Sequence, residues 1–194
     1  MSPITHFAVG WSVAEYVGRT RRERLCITLA GMLPDLDGAG LLADLTNKVF
    51  GRPESFWFET LHHELLHGFL GAVLAVVAAL LLGCRRIAAL LAVMVAFHLH
   101  LLCDVLGSRG PDADEIWPIH YLAPLSNIGA LAWSGQWQLN AWPNVVLTCI
   151  LLCWIGMRAI KTGVSPFSLV STRLDAEVVR ALRARWPQGH KPPH

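Results

Sequence analysis

The sequence predicts an all-α, polytopic membrane helix bundle with a metal site between its helices. Three observations predict it. Hydrophobic residues make up 54% of the 194 residues and charged residues 15%, where a soluble domain carries about 25% charge. Five apolar segments of helical length recur along the chain. Nearly all the basic residues fall on one side of those segments. The composition divides the chain into a membrane-embedded part, 1–165, and a basic tail, 166–194.

The segments run over about 4–18, 25–43, 65–84, 87–106 and 143–160. A helix needs about 20 apolar residues to cross the hydrocarbon layer. The third and fourth segments meet that length and the fifth, "NVVLTCILLCWIGMRAI", is adequate. The first is short, about 22 Å as a helix. Pro34 breaks or kinks the second. The N-terminal stretch has no basic region before its apolar part and contains His6 and Glu15, which argues against a cleaved signal peptide.

Charge sets the expected orientation. If all five segments cross, the four arginines at 19–24, Arg85, Arg86 and seven basic residues from Arg158 to Lys191 share one side, and only Lys48, Arg52 and Arg109 lie on the other. The positive-inside rule then places the N-terminus outside and the C-terminus in the cytoplasm of a bacterial inner membrane. Three spans with a peripheral N-terminal part is the alternative count. Trp117, Tyr121, Trp133 and Trp137, in the loop 107–142, suit the headgroup level. In the tail, "STRLDAEVVRALRARW" puts Leu174, Val178, Leu182 and Trp186 on one helical face. That face either lies on the inner leaflet or packs on loops. The cysteines, Cys26, Cys84, Cys103, Cys149 and Cys153, form no C-x-x-C pair and read as small buried hydrophobes. A net charge of +2 and the absence of any recognition motif argue against nucleic acid as a partner.

The chemistry-bearing residues cluster. Six of the nine histidines fall at three places: His6; His62, His63 and His67; His98 and His100. Asp104 follows His100 by four residues, so the two share a helix face. Asp35 and Asp37 sit at the Pro34 break. In the five-span topology all these residues gather in the outer leaflet, although the topology was drawn from Lys and Arg alone. An Asp near the centre of a membrane helix costs about 2.5–3.5 kcal/mol to insert, and such residues are functional hypotheses by default. Imidazole with carboxylate suits zinc first, with manganese or iron as alternatives. One or two ions fit this number of candidates.

His63-Glu64-Leu65-Leu66-His67 also spells H-E-x-x-H, the helical zinc signature of metalloproteases. An intramembrane zinc protease centred on His63, Glu64 and His67 is therefore one alternative, and a non-enzymatic divalent-metal transporter or sensor another. The protease reading leaves His6 and the His100–Asp104 pair unexplained.

Four motifs in order, "THFAVGW", "LAGMLPDLDG", "HHELLHG" and "HLHLLCDVLGSRG" followed by "WPI", cover residues 3 to 125 or so. They resemble the predicted membrane-bound metal-dependent hydrolases, the YdjM-like inner-membrane proteins described as LexA-regulated in some bacteria. The resemblance implies His6, Asp35, Asp37, His62, His67, His100 and Asp104 as metal ligands. The third motif departs from the family's H-R-G-x-T-H-S, with His63, Glu64, Leu66 and Gly68 replacing its Arg, Gly, Thr and Ser, which leaves the choice between His62 and His63 open. The family is distantly similar to the all-helical zinc phospholipase C and P1-type nucleases, an analogy of fold that implies phosphate-ester hydrolysis. The expected function is hydrolysis of a phosphate ester or lipid-linked substrate by metal-activated water, with zinc as the leading ion and the bilayer and a phospholipid or lipid-linked substrate as expected partners. Asp35, Asp37 and Glu64 are the candidate acid/base residues, and Arg109 is a candidate contact for a phosphate oxygen.

Overall fold

The computed structural model describes residues 1–53, 66–112, 114–126 and 128–187. These form helices α1 (Pro3–Val17), α2 (Arg21–Ala30), α3 (Gly40–Val49), α4 (Phe69–Leu81), α5 (Ile87–Gly107), α6 (Trp142–Thr162) and α7 (Thr172–Arg185). Two 3-10 helices, Pro34–Ala39 and Pro166–Leu169, and a two-stranded antiparallel hairpin, Ile119–His120 with Ala130–Leu131, complete them.

The helix ends follow the local sequence. Ser2 caps α1, its hydroxyl accepting from the Thr5 N–H at 3.3 Å, and Pro3 opens the first turn where no N–H is needed. Thr20 caps α2 in the same way, accepting from Glu23 N–H at 3.1 Å, while Glu23 reaches back to accept from Arg19 N–H at 2.8 Å. The capping draws the second segment's start back to Arg21, ahead of the apolar stretch. Its other end continues past Pro34 into α3, with a bend of 57° between the two arms. Gly163 closes α6 in the left-handed region at φ 75°, where a residue without Cβ is unstrained.

Helix α1 packs on α2, α5 and α6, and α5 also packs on α2 and α4. The core shared by α4 and α5 is rich in alanine: Ala72, Ala75, Ala79, Ala89, Ala92 and Ala96 join Phe97 and Leu101 in one buried cluster. Small residues let helix backbones approach where the surroundings offer no hydrophobic drive. Gly10 and Gly31 do the same for α1 and α2: a Cβ on Gly10 would lie 2.7 Å from Thr28 O, and one on Gly31 3.0 Å from the Gly10 Cα.

Two helices, α5 and α6, have the length and composition to cross a membrane, and the bent α2–α3 pair makes a third if it counts as one span. The third segment is shorter than the sequence suggested. Helix α4 has 13 residues, because Leu66–Gly68 form a bend and Gly68 begins the helix only after it. The Phe69 N–H is held there by Tyr121 O at 2.7 Å, and a Cβ on Gly68 would strike the same carbonyl. His67 thus sits in the bend, and the helix face it was expected to share with His63 does not extend to it.

One further expectation changes. Cys149 and Cys153 are exposed on the outer face of α6, while Cys26, Cys84 and Cys103 are buried. The tail helix α7 packs on α6 and the second 3-10 helix. It is anchored by Asp175, which accepts from the Ser165 N–H and hydroxyl at 2.7 and 2.6 Å, and by Arg183, which donates to Ile160 O at 2.9 Å. Val179 turns inward, and Leu174 and Trp186 are exposed.

Candidate metal centre

Four elements deliver the polar cluster to one end of the bundle. His6 comes from the first turns of α1, Asp35 from the 3-10 helix after the Pro34 break, His67 from the bend before α4, and His100 and Asp104 from the last two turns of α5. The arginine-rich ends of α1, α2 and α5 lie at the other end.

Asp104 is the hub. Its Oδ2 lies 3.0 Å from His100 Nε2 and 3.5 Å from His67 Nε2, and its Oδ1 lies 3.2 Å from His6 Nε2. The Met1 amino group also pairs with Oδ1, so positive charge already stands against this carboxylate. His100 Nε2 is 3.3 Å from His67 Nε2 and 3.8 Å from Asp35 Oδ1. The His6 and His100 rings stack at 3.7 Å between centroids. One ligand atom each from His6, Asp35, His100 and Asp104 lie within 4.8 Å of one another. His6, His67 and His100 are fully buried, and Asp104 nearly so.

The outer nitrogens of two of the histidines are fixed. His67 Nδ1–H donates to Asp37 Oδ2 at 2.8 Å, and His100 Nδ1–H donates to the Gly31 carbonyl at 2.9 Å. These tautomers follow from the acceptors on that side. They turn both Nε2 atoms toward Asp104 and toward each other, 3.0 to 3.5 Å away. His6 adds to the crowding: neither of its buried ring nitrogens has a hydrogen-bond partner, because its approach to Asp104 is out of line for an N–H bond. Asp35 Oδ2 is buried without a hydrogen bond as well. Unpaired buried polar atoms cost free energy, and a shared cation would engage one ring nitrogen of His6 and a carboxylate oxygen of Asp35. Ligand atoms around a tetrahedral zinc ion stand about 3.3 Å apart, comparable to the spacings here. The residues fit a divalent ion.

Among the described residues, three further sequence candidates, Asp37, His98 and Arg109, are not part of the group of facing ligand atoms. Asp37 stands behind His67, where it also accepts from the Leu66 N–H at 3.3 Å; it orients the imidazole, as carboxylates behind metal-bound histidines do. His98 points about 200° around α5 from His100. Its nitrogens meet Met94 O at 2.8 Å and the Tyr121 hydroxyl at 2.9 Å, apart from the cluster. The Arg109 guanidinium reaches Asp112 O at 3.4 Å, and its backbone pairs with Trp137 and Leu139. His62, His63 and Glu64 lie outside the described residues.

Sequence reasoning missed the polar supports. Gln136 Nε2 donates to Asp104 O at 2.9 Å and its Oε1 accepts from Trp117 N–H at 3.0 Å. Ser108 donates to the same Asp104 carbonyl at 2.7 Å. Asn144 Nδ2 donates to Gly107 O at 2.8 Å while its Oδ1 accepts from Trp137 Nε1. Together they close the end of α5, whose last carbonyls have no helical partner. A Gln and an Asn in or near an aromatic loop carried no motif; only their polarity beside a membrane segment marked them.

An apolar helical bundle with a buried His/Asp cluster at one end is the class these features define. The chain belongs to the YdjM inner membrane protein family, whose model matches residues 1–164. No curated protein and no solved structure matches it.

Proposed function

We propose that this chain is a divalent-metal-dependent hydrolase of phosphate esters at the membrane, with zinc the leading ion. One observation carries the reading: three buried imidazoles and two carboxylates converge within hydrogen-bond range of one another, and His6 and Asp35 keep buried atoms that no hydrogen bond satisfies. His6, His67, His100, Asp104 and Asp35 would hold the ion, and Asp37 would fix the His67 ring. A divalent cation bound there supplies Lewis acidity toward a phosphoryl oxygen and acidifies water.

The chain's own residues do the rest. Asp35 is the least enclosed member, with its side chain 24% exposed, which suits it to meet substrate. Water adds to phosphorus as the P–O ester bond breaks, its proton passes to the Asp35 carboxylate, and Asp35 returns that proton to the ester oxygen, which leaves as the alcohol. Arg109, beyond the same end of α5, is the rim cation of this reading. The charge distribution supports a multi-pass topology with this end in the outer leaflet and the C-terminus in the cytoplasm. A bilayer substrate follows from that depth.

The test is elemental analysis of the purified chain beside hydrolysis of bis-p-nitrophenyl phosphate, in wild type and in His6→Ala and His100→Ala. Stoichiometric metal and activity should both disappear in the variants. Bound metal with no hydrolysis, but metal-dependent flux in proteoliposomes, would favour a transporter instead.

A further inference from the structure

A narrow apolar cavity of about 300 Å³ opens between α2 and α4. Leu29 and Leu33 line one wall and Ala75, Ala78 and Leu82 the other. The two helices run in opposite directions, so the groove follows the bundle axis. From Ala75 to Leu82 it covers about 10 Å of helix rise. Its lining contains one carboxylate, Asp35, and that residue belongs to the candidate metal centre.

The walls explain the shape. Alanine at 75 and 78 leaves space where leucine would fill it. Leu29 and Leu82 remain about half exposed on the rim, so the groove is open along its side to whatever surrounds the helices. Around membrane helices that is lipid tails. Transfer of a tail from lipid into such a groove gains little from apolar burial, because both environments are equally apolar. What the groove offers is position: a chain lying in it has its end directed at Asp35.

We infer that this groove holds one hydrocarbon chain of the substrate, a single-tailed or isoprenoid phosphate ester that enters sideways from the bilayer and presents its phosphate at Asp35. The inference rests on the phosphate-ester reading of the cluster and narrows its substrate. The volume lies at the lower end of ligand cavities, which suits one chain and excludes two side by side. The lone carboxylate at the groove's end repels an anionic head unless a cation stands beside it, so the groove and the metal centre make one continuous site.

The experiment uses the full chain in lipid nanodiscs and a hexadecyl phosphate carrying a photoreactive diazirine near the middle of its tail. Crosslinks mapped by mass spectrometry should concentrate on α2 and α4, around Leu29, Ala78 and Leu82. Ala78→Trp fills the groove from its exposed side and should cut this labelling several-fold, leaving bound metal and hydrolysis of the short diester unchanged. Val145→Trp, of equal bulk on the outer face of α6, should leave the pattern as in wild type. Labelling spread evenly over the lipid-facing side of α6, or undiminished in Ala78→Trp, overturns the inference. Groove labelling in a chain that binds no metal would strike the hydrolase reading and leave the chain-binding groove standing.

Discussion

The two ends of the bundle solve the problem of buried charge differently. At the arginine-rich end, carboxylates meet guanidinium groups. Arg158 makes a bidentate pair with Glu15 at 2.8 to 3.2 Å, and Arg86 grips Glu23 with contacts of 2.9 and 3.0 Å. Glu23 beside it pushes the Arg86 pKa above its ordinary value, so the pair stays charged. At the other end, Asp104 and Asp35 face imidazoles, with the Met1 amino group as the one cation recorded against Asp104 among the described residues. The first end matches each of these carboxylates to a guanidinium, Glu15 to Arg158 and Glu23 to Arg86. The second leaves the His6 ring nitrogens and Asp35 Oδ2 without hydrogen bonds, and a bound ion would engage them. A carboxylate paired with arginine is a structural joint, and one ringed by histidines is a candidate binding site.

The comparison breaks most sharply at Asp104. Asp104→Asn keeps the shape and removes the charge at the hub, so metal content should fall to background by elemental analysis. A chelator should lower the melting temperature of wild type and leave the variant unmoved. At free metal of 100 to 1,000 times Kd, the linkage amounts to roughly 3–4 kcal/mol. Equal metal in both proteins would mean that the histidines are merely packed. Asp37→Asn comes next. It leaves the cluster atoms in place and loosens the His67 ring, which should weaken metal affinity by about 10–100-fold in a competition titration with a chromophoric chelator. Glu15→Gln, at the arginine-rich end, should lower the melting temperature with metal unchanged; loss of metal there would dissolve the distinction between the two ends.

Much of this contrast was legible in the letters. Helical segments, the Pro34 break, and the gathering of His6, Asp35, His67, His100 and Asp104 follow from hydropathy, from four-residue spacing and from which side each segment begins. What the letters hid depends on backbone placement. His67 reads as helical because H-E-x-x-H has helical spacing, and only the Tyr121 carbonyl and the Gly68 bend take it out of the helix. His98 lies two residues from His100 in sequence and across the helix in space. Asp35 and Asp37 look alike in "PDLDG", yet one faces His100 and the other stands behind His67. The Gly31 carbonyl, which orients His100, has no side chain to betray it.

That carbonyl supplies a subtler test. Gly31→Ala puts a Cβ 3.0 Å from Gly10 Cα and 3.2 Å from His6 O, so α1 and α2 must separate. Overpacking of this kind costs about 1–3 kcal/mol, read as a lower denaturation midpoint. The same movement draws His6 and the Gly31 carbonyl away from His100, so metal affinity should fall with stability. In Gly163→Ala, at the far end of α6, the positive φ also strains the backbone, but metal affinity should hold. A parallel loss in both variants would show that affinity merely follows global stability.

The smallest effect is expected at His98. Both its nitrogens are engaged, with Met94 O and with the Tyr121 hydroxyl, and neither bond involves the cluster. His98→Gln preserves a donor and an acceptor there, and metal stoichiometry and affinity should match wild type. The four-residue register explains why: His100 and Asp104 point one way, and a residue two positions earlier on the same helix points to the opposite side. If His98→Gln nevertheless emptied the site, the helix face assigned to α5 would have to rotate, and with it the claim that Asp104 is the hub.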